Sequence, residues 1–272
     1  MSMRRKVAFV TGASRGIGRA SALALAEKGF DVVVTARTVR EGEGADSLPG
    51  SIETTAAEVE ALGQRALPLR IDLQDRASMQ AAVAETVARW GHIDVLLNNA
   101  IYKGAASMQL VLDLDLEEVR RLFEANVIAQ TYLIQQVLPG MLQRDSGLVL
   151  NMVSGSAVSD PPAPAGQGGW GFAYAASKAA LLRMVGVLAV EHADSSVRFM
   201  NVDPGLVLTE SMRAKARSAA LLKYHKPAPM EVPASAIAWL ATDADAAKYN
   251  GRTVDAQPLC LELELQPDWR HG

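Results

Sequence analysis

Tyr174 and Lys178 stand four positions apart in Tyr174-Ala175-Ala176-Ser177-Lys178, at the opening of a stretch apolar enough to be a buried helix. That spacing stacks the phenol and the amine on one helical face. A phenol titrating near ~10 is a poor acid or base at neutral pH, but an ammonium beside it favours the phenolate and brings it towards working range. Such a pair can move a proton. The same spacing also suits a packed ring and a solvated amine, so the surrounding elements must decide.

With 272 residues, 49% of them hydrophobic, the chain can bury a large core and suits one sizeable α/β domain better than two small ones. A net charge of −3 and a pI near 5.9 give no electrostatic reason to expect nucleic acid or an anionic membrane as partner. Cys260 is the only cysteine, which excludes an internal disulfide and a cysteine-based metal site. No metal and a reducing, cytoplasmic setting are expected. The apolar run after Arg4, Arg5 and Lys6 stops at Thr11-Gly12, too short for a signal sequence or a membrane span, so the chain reads as soluble.

Short runs of valine, isoleucine and leucine alternate with longer amphipathic segments, the pattern of parallel strands joined by crossover helices. Strands are expected near 6–11, 31–36, 66–71, 93–98, 147–153, 196–202 and 251–255, and helices near 17–28, 53–62, 76–90, 115–143, 173–192 and 233–242. Pro139 should kink or end the fourth helix. Runs such as Val7-Ala8-Phe9-Val10 and Val95-Leu96-Leu97 are nearly continuous in apolar residues, which suits a doubly wound sheet covered on both faces. Three connections are rich in turn formers: Thr38–Ser51, Gly155–Phe172 and Leu206–Pro233, the last with a possible helix over Thr209–Tyr224.

The first strand runs straight into Thr11-Gly12-Ala13-Ser14-Arg15-Gly16-Ile17-Gly18, followed by a helix-forming run. Glycine serves a tight turn and lets a phosphate approach backbone N–H groups at a helix N-terminus where no Cβ intervenes. Gly12, Ser14, Arg15, Gly16, Ile17 and Gly18 are therefore candidates to cradle a dinucleotide, against the plainer reading of a turn with no ligand. The second strand ends in Arg37, where many such sites carry an acidic residue for the adenosine ribose. With Arg15 facing it, Arg37 would attract a 2′-phosphate, so NADP is favoured over NAD, with Arg40 as a third candidate and solvated surface arginines as the alternative. Asp72-Leu73 at the end of the third strand could reach the adenine. Asn98-Asn99-Ala100 ends the fourth, either in the site or merely capping a turn.

These residues, in this order, resemble the short-chain dehydrogenase/reductase family from Lys6 to about Ala256: the glycine turn, Asp72, Asn98-Asn99-Ala100, Asn126, Ser154, Tyr174 with Lys178, and Pro204-Gly205 with Thr209. The resemblance implies a Rossmann-type sheet of about seven strands in a single domain spanning 1–272. It implies hydride transfer between a nicotinamide and a ketone or secondary alcohol, with Tyr174 as acid and base. Lys178 would hold the nicotinamide ribose and lower the Tyr174 pKa, and Ser154 would hydrogen-bond the substrate oxygen. Asn126 would hold a water relaying protons to Lys178, or make a structural hydrogen bond only. Pro204, Gly205, Val207 and Thr209, with Asn99 and Ala100, would complete the cofactor contacts. Residues of about 206–233 would form a substrate lid. Its cations Arg213, Lys215, Arg217, Lys223, His225 and Lys226 suit either an acidic substrate or a solvated helix face. Family members commonly self-associate, so a dimer or tetramer through the helices at 115–143 and 173–192 is expected.

The chain departs from the family pattern in three places. Ile101 stands where a glycine is usual, which implies a tighter, more apolar pocket. Ser154 and Tyr174 are separated by a Pro/Gly-rich insertion whose Trp170 and Phe172 are candidates to wall the substrate site. After the last strand, Asp255-Ala256-Gln257-Pro258 replaces the usual glycine pair, leaving a tail, 257–272, to follow its own path. The segments Leu48-Pro49-Gly50-Ser51-Ile52 and Ala56–Gly63 resemble the hydroxysteroid-dehydrogenase-like branch, but they lie at the adenosine end and specify no substrate.

Overall fold

The computed structural model describes residues 4–44, 48–214, 227–266 and Trp269. Seven parallel strands form one sheet in the order β3-β2-β1-β4-β5-β6-β7: β1 (Val7–Thr11), β2 (Asp31–Ala36), β3 (Ala66–Arg70), β4 (Val95–Asn98), β5 (Gly147–Met152), β6 (Val197–Asp203) and β7 (Thr253–Asp255). The strand order reverses at β1, which pairs with β2 on one side and β4 on the other. A crevice therefore opens beyond the carboxyl ends of β1 and β4, the place where open α/β sheets take ligands.

The helices are α1 (Gly16–Glu27), α2 (Ile52–Ala61), α3 (Arg76–Trp90), α4 (Leu116–Phe123), α5 (Ala129–Gln143), α6 (Phe172–Glu191), α7 (Glu210–Arg213), α8 (Glu231–Thr242) and α9 (Ala256–Glu262). Alternation along β1 explains the two-sided burial. Ala8 and Val10 join Leu25 of α1, Val59 of α2 and Ile237 of α8. Val7 and Phe9 join Met79 of α3, Leu133 of α5 and Val185 of α6 on the other face. Fully buried side chains such as Phe9 and Leu133 each contribute on the order of 1.5–3 kcal/mol over leaving them in water. Local signals agree with these elements: Asp75 accepts from Ala77 N at 3.0 Å to cap α3, and Gly91 ends that helix with φ of 84°.

Pro139 does not end its helix, because α5 continues to Gln143. Buried Leu138 and Met141 hold that turn against the core despite the missing N–H. The irregularity falls earlier, at Glu124–Ile128, where one π-helical turn joins α4 to α5. Of the expected helix over 209–224, α7 covers Glu210–Arg213, and residues 215–226 lie outside the described residues. Among the described residues after β7, α9 buries Leu259 and Cys260 in the same core as α8. Among the described residues α6 is long and apolar enough to cross a membrane, but it turns Lys178, Val185 and Leu188 inward instead.

Candidate active site

The glycine turn leaves no room for a side chain at Gly12 or Gly18. A Cβ on Gly18 would stand 2.2 Å from Gly12 O, and one on Gly12 would stand 2.8 Å from Ala100 Cα. Gly12 and Gly16 adopt φ of 68° and 60°, in the left-handed region that glycine enters at little cost. Asn99 locks the turn from β4, its Nδ2 donating to Thr11 O at 2.8 Å and Gly12 O at 3.3 Å. Thr11 Oγ1 returns the bond by accepting from Asn99 N and Ala100 N at 2.9 and 3.0 Å. Asn98 turns elsewhere, donating to Asn151 Oδ1 at 3.0 Å. The first turn of α1 has no acidic side chain of its own and no side-chain cap, while Glu210 Oε2 comes 3.7 Å from where a Cβ on Gly16 would stand.

At the adenosine end, Arg15 Nη2 donates to Gly50 O at 3.1 Å and lies 3.4 Å from Thr38 Oγ1, which places its guanidinium over the end of β2. Arg37 is exposed at the same strand end. Arg40 is drawn away from it by Glu43 and Glu53, at 3.7 and 3.5 Å. Leu73 is buried among core residues, and half-buried Asp72 accepts from Gln74 N at 3.0 Å.

On the other side of the crevice, α6 brings Tyr174 and Lys178 beneath the end of β5. Lys178 is 4% exposed and donates from Nζ to Met152 O at 2.7 Å. Burial and the Lys103 charge lower its pKa to about 8, against an opposing pull from Asp203. Burial raises the Tyr174 pKa, while the Ser154 hydroxyl beside the phenol lowers it and Asp203 raises it further. Ser154, Tyr174 and Lys178 thus converge from β5 and α6 on one spot. Asn126 does not join them through its amide: Oδ1 accepts from Tyr102 N at 2.8 Å and Nδ2 donates to Tyr102 O at 3.0 Å. Its side chain is spent, leaving only its main chain for any proton path.

Beyond β6, Pro204 and Val207 are buried and Gly205 is exposed, with Val207 bridging to Ala228. A Cβ on Gly16 would stand 3.5 Å from Thr209 Cγ2, so this segment closes over the glycine turn. Thr209 Oγ1 is buried without a hydrogen-bond partner among the described residues. A donor or acceptor on a ligand beside Thr209 would satisfy it.

A model of the short chain dehydrogenase family matches residues 6–220. The chain belongs to the short-chain dehydrogenase/reductase family. Over 257 residues it is 31% identical to a 3-oxoacyl-[acyl-carrier-protein] reductase of Synechocystis, covering 93% of this chain and 95% of that one. It is also 39% identical to hydroxysteroid dehydrogenase-like protein 2 of Xenopus laevis over 145 residues, 53% of this chain but 33% of that longer protein. The crystal structure of acetoin dehydrogenase from Enterobacter cloacae superposes with a TM-score of 0.73 at 31% identity, covering 94% of this chain and 96% of that one. As a family member the protein is an oxidoreductase working between CH–OH and C=O with a nicotinamide cofactor, NAD(H) or NADP(H). The glycine turn, the uncapped N-terminus of α1 and the orphaned Thr209 hydroxyl fit such a dinucleotide.

Several residues that shape the family site in this chain carry no strong sequence signal. Gln130, buried on α5, donates to Ala100 O at 2.8 Å. With Asn126 holding Tyr102, it fastens the chain on both sides of half-buried Ile101. Gln257 replaces a usual glycine and donates to Pro204 O at 3.0 Å and Leu206 O at 3.2 Å, bracing the closing segment. Asn98, Asn151 and Asn201 lie in register across β4, β5 and β6 as a buried row of amides. The insertion folds against the turn after β4, with Gly171 N donating to Ser107 O at 3.0 Å. Trp170 is half-buried in it, whereas Phe172 is 56% exposed. Of the basic cluster, Arg213 is exposed on α7, while Lys215, Arg217, Lys223, His225 and Lys226 lie outside the described residues.

Proposed function

We propose that the protein is an NADP(H)-dependent oxidoreductase of ketones and secondary alcohols, with Tyr174 as its acid and base. The observation that carries this reading is Ser154 beside the Tyr174 phenol, with Lys178 bound to Met152 O at the carboxyl end of β5, the sheet edge at which the glycine turn follows β1. The bound nicotinamide supplies or accepts the hydride. In reduction the Tyr174 hydroxyl gives its proton to the carbonyl oxygen, which Ser154 Oγ also holds as charge develops there. Lys178, one turn along α6 from Tyr174, has N–H groups beyond its bond to Met152 O with which to bind ribose hydroxyls. Arg15 and exposed Arg37 at the end of β2 favour a 2′-phosphate, hence NADP. Pro204–Thr209 serves as the nicotinamide wall, and the segment after it, to about 233, as the lid.

The reading extends to assembly in a cytoplasmic setting. Exposed Leu112, Leu116 and Ile128 around α4 and α5, with Val187 and Val190 on α6, form apolar faces suited to a homodimer or tetramer. Light scattering that gives a clean monomer removes that part.

Titration with NADPH and NADH, followed by a screen of ketones, aldehydes and 3-oxoacyl esters, tests the whole. Tighter NADPH binding with turnover is the expected result. Equal or tighter NADH binding overturns the cofactor preference. NADPH binding without turnover on any carbonyl replaces the enzyme reading with a redox-sensing binding protein.

A further inference from the structure

We propose that Asp203 is a specificity-determining residue: its Oδ2 is the acceptor for a hydroxyl or ammonium group that the substrate carries beside its reacting carbonyl. This rests on the oxidoreductase reading above and deepens it by naming a substrate class. Asp203 ends β6 two positions after Asn201, whose Nδ2 donates to Leu182 O of α6 at 2.9 Å. Alternation along the strand therefore turns Asp203 towards α6 as well. Its Oδ1 accepts from Gly205 N at 2.9 Å, which anchors the carboxylate at the start of the segment that faces the nicotinamide. Its Oδ2 lies 3.2 Å from where a Cβ on Gly155 would stand, so the carboxylate reaches the turn that begins at Ser154. No described residue donates a hydrogen bond to Oδ2.

The charged neighbours narrow its role. Lys178 already donates to Met152 O, and Lys103 is exposed on the loop after β4. Asp255, the Cα partner of Asp203 on β7, adds a second carboxylate to the same edge. A half-buried carboxylate beside a carbonyl site is costly unless something donates to it. Tyr174 and Ser154 suffice for the substrate oxygen, which leaves Asp203 to recognise a neighbouring donor. In such a partly dry site a carboxylate binds ammonium most strongly and a hydroxyl less, and it repels another carboxylate.

The test uses the NADP⁺-loaded protein, in which a ketone binds without reacting. Calorimetry gives Kd for aminoacetone, hydroxyacetone, butanone and pyruvate, ligands of similar size. The wild type should bind them in that order of decreasing affinity. Asp203→Asn keeps an acceptor for Gly205 N–H but loses the charge, and should compress the aminoacetone-to-pyruvate Kd ratio by about tenfold or more. Gly155→Ala, which crowds Oδ2, should compress it in the same direction by less. Melting temperature and cofactor titration establish that each variant is folded. An unchanged ratio in Asp203→Asn, a uniform loss across all four ligands, or no binding of aminoacetone and hydroxyacetone overturns the proposal. Turnover with NADPH is read separately. The ranking without any turnover would sink the enzyme reading and leave Asp203 standing; turnover without the ranking would do the reverse.

Discussion

On the β1 side of the crevice, the glycine turn is held at its backbone: the Asn99 side chain spans two carbonyls, Thr11 Oγ1 binds two N–H groups, and a Cβ on Gly18 would meet Gly12 O at 2.2 Å. On the α6 side, the proposed chemistry hangs on side chains, with Ser154, Tyr174 and Asp203 all half-buried and drawn from three parts of the chain. The first region tolerates almost no change of shape, because a side chain at Gly12 or Gly18 would meet backbone atoms that cannot rotate away. The second can lose one functional group and keep its fold, because a hydroxyl or carboxylate is removed without moving the chain. Binding and chemistry are thereby separable in this protein, and the following variants would break or sharpen that separation.

The largest effect belongs to Tyr174→Phe. It should lower kcat by about 10²–10⁴-fold while leaving the cofactor Kd within a few-fold. Steady-state rates and a fluorescence titration measure the two quantities; near-wild-type turnover would dismiss the phenol as the proton donor. Gly18→Ala should act the opposite way round, weakening the cofactor by at least about tenfold and destabilising the fold by about 1–3 kcal/mol through overpacking. Denaturant melts and the same titration check this, and a variant binding normally would mean that the turn yields more than its contacts imply.

Lys178→Met should lose turnover yet gain stability. With its pKa lowered to about 8 from an ordinary 10.5, the buried ammonium costs the folded state most below pH 8. Between those values the unfolded chain holds the extra proton, so this group makes stability rise with pH. Relative to wild type, Lys178→Met should gain about 1–3 kcal/mol at pH 7, and the gap should close by about pH 10. Melts at pH 7 and 10 measure it; a constant gap would point to packing rather than charge. The smallest effect is that of Arg37→Ala, which should weaken NADPH by about tenfold and NADH by less than about twofold. Equal losses would remove the 2′-phosphate contact.

The parts legible in the sequence are those whose function depends on local spacing. Gly12, Gly16 and Gly18 announce a strand-to-helix turn, and Tyr174 with Lys178 announces one face of a helix, whatever surrounds them. The parts that were not legible depend on partners far along the chain. Asn126 is legible only as an amide in an apolar helix that needs a partner, and it is Tyr102, 24 positions away, that engages both ends of the amide. Gln130 and Gln257 are ordinary amides by composition, and they matter because Ala100 and Pro204 present carbonyls to them. Pro139 breaks a helix by local rules, yet the packing of Leu138 and Met141 carries α5 past it.

By itself the sequence determined the alternation of strands and helices, the glycine turn and the family to which they belong, because periodicity and backbone sterics act over a few residues. Only the tertiary structure decided which polar groups meet. It set Asp203 against Gly155, fastened both sides of Ile101, and left Thr209 Oγ1 without a partner among the described residues. Hydrogen bonds and charges reach only a few ångströms through space, and which residues come that close is settled by the winding of the whole sheet.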